Sequence, residues 1–217
     1  MKRLLGTLLL SLSLIAGVAH ASPTAPVAGK EYTVLKTPQP VGVPAGKIEV
    51  TEFFWYGCPH CNKFDPFLED WVKKQGPDVV FKRVPVAFRD DFIPHSKMYY
   101  ALDALGLAQK LTPAVFHEIH ENKNYLLTPE DQAKFLATQG VDPKKYMEAY
   151  NSFSTQSALQ RDKALLDAYK IDGVPTIAIQ GKYETGPAMI QLPEDKALPG
   201  TLQVMDYIVS QIRAKKM

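Results

Sequence analysis

The chain has 217 residues, 46% hydrophobic and 22% charged, with a formal net charge of +2. That is enough apolar material for one well-packed globular unit, and the near balance of charge excludes a long disordered tail. The only basic cluster is Lys215–Lys216, so no nucleic acid partner is expected.

The N-terminus reads as an export signal. Lys2 and Arg3 precede an apolar run from Leu4 to Val18, and Ala19-His20-Ala21 places small residues at the two positions a signal peptidase inspects. The run is shorter than the roughly 20 residues that span a bilayer, which favours cleavage after Ala21 over a membrane anchor. Export implies an oxidising compartment, where cysteines usually act as structural staples. This chain has only two, Cys58 and Cys61, separated by Pro59 and His60. A disulfide closing so small a loop constrains little chain entropy, so redox chemistry explains the pair better than stapling.

Residues 22–47 are rich in Pro, Gly and Ala, with a possible edge strand at Tyr32–Leu35. The alternating, β-rich run Ile48–Phe54 predicts a buried strand, and the cysteine motif then opens a helix over about Pro59–Lys73. Pro59 suits its first turn, where a missing N–H loses no partner. Val79–Val86 reads as a second strand, with Pro85 marking an edge or an ending. Apolar residues then recur at helical spacing from about Arg89 to Ser154. Thr112-Pro113, Thr128-Pro129 and Asp142-Pro143 each read as an N-cap followed by Pro at the first helical position. A longer helix over about Thr155–Tyr169 leads to a strand at Val174–Ile179, a Gly181-Lys182 turn and a last helix over about Thr201–Lys215.

Thiol–disulfide exchange needs a thiolate to attack and a second thiol close enough to release the mixed disulfide. With Cys58 at a helix N-terminus, free N–H groups and the positive dipole end face its sulfur and lower its pKa. His60 could add a charge or a donor, and is expected to tune the thiolate more than Pro59 does. A zinc site would need further ligands, and His95, His117 and His120 lie in the helical region without a matching cysteine. Haem attachment needs His directly after the second cysteine, where Asn62 stands. No metal and no cofactor are expected.

Phe53-Phe54-Trp55-Tyr56-Gly57-Cys58-Pro59-His60-Cys61, with Gly173-Val174-Pro175-Thr176 downstream, resembles the DsbA family of the thioredoxin superfamily across essentially the whole mature chain. The resemblance implies an α/β (α+β) thioredoxin fold with an inserted all-helical domain. The expected organisation is a signal peptide at 1–21, thioredoxin-like parts at 22–88 and 155–217, and the insertion at 89–154. Cys58 matches the exposed nucleophile, Cys61 the buried partner, and Pro175 the cis-proline beside the disulfide. Val174 would offer backbone groups to a peptide, with Trp55 and Tyr56 as further substrate-binding residues. Pro66 resembles the helix-kinking proline of thioredoxins. Glu52 matches a buried acid that could relay protons to Cys61; the plainer alternative is a strand Glu paired with Arg83. Arg83 stands where the family often has Lys, and Asp65 where it often has Glu.

The implied activity is a periplasmic dithiol oxidase acting on reduced, unfolded secreted proteins and reoxidised by a quinone-linked membrane enzyme of the DsbB type. A monomer is expected. A disulfide isomerase or reductase of the same fold, or a peptide-binding chaperone, are the alternatives.

Overall fold

A strand buried on both faces needs cover on both, and the architecture follows from the run at Ile48. The structure, a computed structural model, describes residues 25–217, so the expected signal segment lies outside the described residues. Short β1 (Thr33–Val34) precedes β2 (Ile48–Phe54), all seven residues of which are buried. Helix α1 (Pro59–Lys74) crosses to β3 (Val79–Pro85), which pairs with β2 in parallel, Glu52 opposite Arg83. On its other side β2 pairs antiparallel with β4 (Thr176–Ile179), followed by β5 (Tyr183–Thr185) and then β1. The five-stranded order is β1-β5-β4-β2-β3. Pro85 ends β3, which lies at the sheet edge where a missing N–H breaks no ladder.

Between β3 and β4 run α2 (Ile93–Ala104), α3 (Ala108–His120), α4 (Pro129–Thr138), α5 (Pro143–Tyr150) and the long α6 (Phe153–Tyr169). Helix α7 (Glu194–Arg213) closes the chain. The expected caps of α4 and α5 are present. Thr128 Oγ1 accepts from Asp131 N, and Asp142 Oδ1 accepts from Lys144 N at 2.8 Å.

Three expected boundaries differ. Thr112-Pro113 does not start a helix; α3 begins at Ala108 and carries Pro113 inside it. Thr112 is buried there, so its hydroxyl serves a tertiary partner instead of capping. Helix α6 begins at Phe153, with Ser152 Oγ accepting from Thr155 N at 3.2 Å. Helix α7 begins at Glu194, seven residues before Thr201, and runs through Pro199 and Gly200. Burial of Ala197 and Leu198 against the sheet outweighs the local cost of those two residues.

The sheet separates two apolar layers. Ile48, Val50, Ile177 and Ile179 face α1 and α7, meeting Phe64, Leu68, Trp71, Met205 and Ile208. On the opposite face Phe53, Val84 and Ala178 meet Tyr169, with Leu165 and Leu166 of α6 packed beside them. A third cluster joins Phe54 and Tyr56 to Met98, Leu102, Val115, Phe116, Leu136 and Tyr146 of α2–α5, and it includes both cysteines. Each large side chain fully buried in these layers contributes roughly 1.5–3 kcal/mol. The motif thus sits at the seam where the sheet meets the helices.

The β4–β5 turn places Gln180 and Gly181 at φ 52° and 64°. A Cβ on Gly181 would lie 2.1 Å from the Gln39 carbonyl oxygen, so only glycine fits without moving the segment bonded there. Gly181→Ala should lower unfolding stability by about 1–3 kcal/mol, read as a lower denaturant midpoint at unchanged slope.

Candidate active site

Strand β2 delivers the chain to the site. After Phe54, Trp55 accepts at its carbonyl from Cys58 N at 2.9 Å, making a tight turn over Gly57. A Cβ on Gly57 would lie 2.4 Å from the Trp55 ring, so the turn needs glycine to close. Cys58 is then the N-cap of α1, in extended conformation with Pro59 at the first helical position. Its side chain makes no capping hydrogen bond, and its sulfur sits at the end where the helix presents unpaired N–H groups.

The two thiols are free and differ sharply. Cys58 is drawn down to about 6. The largest cause is a hydrogen bond from Cys61, followed among the lowering causes by the backbone N–H groups of Cys61 and His60 and then the charge of His60, with burial acting against them. Cys61, fully buried, is pushed well up by burial first, then by its bond to Cys58 and by the charges of Cys58 and Glu52. Cys58 is less open than the nucleophile the resemblance implied. Only 7% of its surface is exposed, because Val174 lies across it, its carbonyl oxygen accepting from Cys58 Sγ at 3.5 Å. The Val174–Pro175 peptide is cis, as the resemblance implied. Beside them a groove of about 710 Å³ runs past Pro175, Gly186, Met189, Leu192 and Leu198.

Under the motif lies a buried ionic cluster. Arg83 donates from Nε to Glu52 at 2.7 Å, from Nη1 to Glu69 at 3.0 Å and from Nη2 to Asp65 at 2.6 Å. Glu52 is therefore both buried and paired with Arg83, the two readings of it that the sequence left open. Burial lifts it to about 7 against the pull of Arg83, and lifts Asp65 to about 6. Three carboxyls share one cation, so at neutral pH the cluster retains proton. Pro66 lies inside α1 between the two carboxyl-bearing residues.

Other expected residues are placed differently. Tyr56 is fully buried, its ring edge-on to Phe54 and Phe116 and its hydroxyl 2.9 Å from Thr112 Oγ1. It cannot meet a substrate; the aromatic run that suggested a surface instead anchors the site to α3. Trp55 is half-buried and stacked on Phe92 at 3.7 Å. The His60 ring, expected near the sulfur, is largely exposed and pairs through Nδ1 with Glu194 Oε1 at 2.8 Å. Its backbone N–H, more than its imidazole, acts on Cys58. Thr112, Glu69, Glu194 and His120, whose Nε2 lies 2.8 Å from the Tyr56 carbonyl oxygen, were not singled out as site residues. They are 11 to 136 residues from Cys58 in sequence, and no local pattern marks them.

Alkylation should read the thiol asymmetry directly. Modification of Cys58 should rise with a midpoint near pH 6, while Cys61 stays unreactive until the protein unfolds; equal rates at both cysteines would overturn the assignment. The carboxyl cluster predicts an unusual pH dependence of stability. A carboxyl raised from 4.5 unfolded to about 7 folded, as Glu52 is, binds more proton in the folded state between those values. Its contribution is complete below pH 4.5 and is lost as pH rises through 7. Glu52→Gln should flatten that decline in part, leaving the share of Asp65, as measured by denaturant midpoints across pH 4.5–7.5.

A family model described as a DSBA-like thioredoxin domain matches residues 49–195. The thiol:disulfide interchange protein DsbA of Burkholderia cepacia is 62% identical over 217 residues, 100% of both chains. Its namesake in Pseudomonas aeruginosa is 40% identical over 99% of this chain and 98% of that protein. The crystal structure of Pseudomonas aeruginosa DsbA matches with a TM-score of 0.80, covering 87% of this chain and 95% of that one. Reduced DsbA1 from Neisseria meningitidis matches at 0.76 with 28% identity, over 89% and 98% of the two chains. With this fold, these relatives and a Cys-x-x-Cys pair at the head of its first helix, the chain belongs to the DsbA family of thiol:disulfide oxidoreductases.

Proposed function

We infer that this thiol:disulfide oxidoreductase works as a dithiol oxidase, donating the Cys58–Cys61 disulfide to reduced, unfolded proteins in the periplasm after export and signal cleavage. The observation that carries this reading is the placement of the two thiols, Cys58 at the N-cap of α1 beside the Val174 carbonyl and Cys61 fully buried. A substrate thiolate attacks Cys58 Sγ in the oxidised protein, and Cys61 leaves as the thiolate. Cys61, pushed up by burial, takes a proton at once; Glu52, whose charge is felt there, is the group suited to supply it. The second substrate thiolate then attacks the substrate sulfur of the mixed disulfide, and Cys58 departs as a thiolate. Two electrons have passed from the substrate dithiol to the protein, and the substrate leaves with a disulfide. The leaving group is favourable because the Cys58 anion is stabilised.

Val174 and the groove past Pro175 supply backbone and apolar contacts suited to an extended peptide, with Trp55 at the margin. Reoxidation falls to a quinone-linked membrane enzyme of the DsbB type, which would use the same face. No helix among the described residues is long and apolar enough to cross a membrane.

Stabilising a thiolate that exists only in the reduced protein favours that form. Cys58, lowered in the folded state, adds stability that is complete above its unfolded value and is lost as pH falls through about 6. At pH 7 the reduced protein should therefore melt above the oxidised protein, and the gap should narrow toward pH 5. An oxidised form that melts higher would favour a reductase. Cys58→Ser should abolish both dithiol oxidation and insulin reduction; retained peptide binding without redox turnover in the wild type would instead favour the chaperone reading.

A further inference from the structure

The His60 ring is held by a residue from the far end of the chain. Glu194 stands in the first turn of α7, where a carboxylate is favoured by the helix dipole. Its Oε1 lies 2.8 Å from His60 Nδ1, and its Oε2 accepts from Lys63 Nζ at 2.6 Å. Both side chains come from the opening turns of α1, so one carboxylate bridges the catalytic helix to α7. Lys63 and then His60 hold the Glu194 carboxyl below its ordinary range, so it is ionised and can only accept. His60 Nδ1 must carry the hydrogen, and that ring nitrogen is committed away from the sulfur.

The commitment matters because the His60 side chain is the part of the Cys-Pro-His-Cys segment that can offer a ring N–H to the sulfur. The N–H groups that act on Cys58 belong to the backbone of α1. The imidazole has 65% of its side chain exposed. With its partner removed, the ring can turn toward Cys58 and donate to the thiolate. We propose that Glu194 is a positioning residue of the redox site, holding the His60 imidazole on the solvent side of the motif and so restraining how oxidising the Cys58–Cys61 pair becomes. This rests on disulfide exchange at that pair. The same carboxylate borders the groove beside Pro175, where a bound peptide would meet it.

The test is the equilibrium of the full-length mature protein with glutathione, compared across wild type, Glu194→Ala, Glu194→Gln, His60→Ala and the His60→Ala/Glu194→Ala double variant. Glu194→Ala should shift the equilibrium toward the reduced protein by roughly two- to fivefold, the range of an exposed ion pair. Glu194→Gln, which keeps an oxygen to accept from Nδ1, should shift it less. In the His60→Ala background, removal of Glu194 should have at most a small effect, since its route of action is gone. The thiolate ultraviolet absorbance of Cys58, titrated in the same variants, should move to lower pH in step. An unchanged equilibrium in Glu194→Ala, or an equal shift with and without His60, would overturn the proposal. A wild-type protein that never equilibrates with glutathione would instead sink the exchange reading itself.

Discussion

One guanidinium ties the catalytic unit together. Arg83 on β3 reaches Glu52 on β2 and both Asp65 and Glu69 on α1, so all three elements of the β2–α1–β3 unit converge on it. Lysine could not replace it simply, because the three carboxyls are met by three differently directed N–H groups of a planar fork. A buried ionic cluster contributes little net stability when complete, yet removing one partner typically costs 3–5 kcal/mol. The orientation of α1, and with it the aim of its N-terminus at Cys58, depends on this junction. An excess of acid over base also means that the ground beneath the cysteines stores proton, which a site that alternates between thiol, thiolate and disulfide can use.

The helical insertion completes the site from the other side. Cys58 and Cys61 belong to the same apolar cluster as Met98, Val115 and Phe116. The Tyr56 hydroxyl meets Thr112, and the Tyr56 carbonyl meets His120, so α3 grips the segment just before the motif at two polar points. Burial of Cys61 at that seam raises its thiol, and the Cys61 thiol beside Cys58 is the first cause that lowers Cys58. The thiol asymmetry therefore comes from packing of two layers and not from the helix terminus alone.

Much of this was legible from sequence where a local rule governs. The alternation of Ile48–Phe54, proline at the head of α1, and the Thr128 and Asp142 caps all express short-range physics, and the structure has them where expected. The same rules misplaced Thr112-Pro113 and the start of α7, because burial of Thr112, Ala197 and Leu198 overrides local preference. Tyr56 looked like part of a binding surface because polarity at one end of a ring does not reveal which way the chain turns it. His60 was expected at the sulfur because Glu194, 134 residues away, leaves no trace near it. What sequence reading missed is long-range polar pairing, which only the fold creates.

The margins of the sheet bear on how such a protein can handle other chains. Strand β1, at one edge, is two residues long. Strand β3, at the other, carries Lys82 and Arg83 in its middle and ends in Pro85. Short length, internal charge and a terminal proline are the devices that keep an exposed ladder from recruiting another strand. A protein that exchanges disulfides with other proteins meets backbones that a free ladder could pair with. Blunt edges disfavour open-ended pairing along the sheet, which leaves exchange to the cysteine pair at the head of α1.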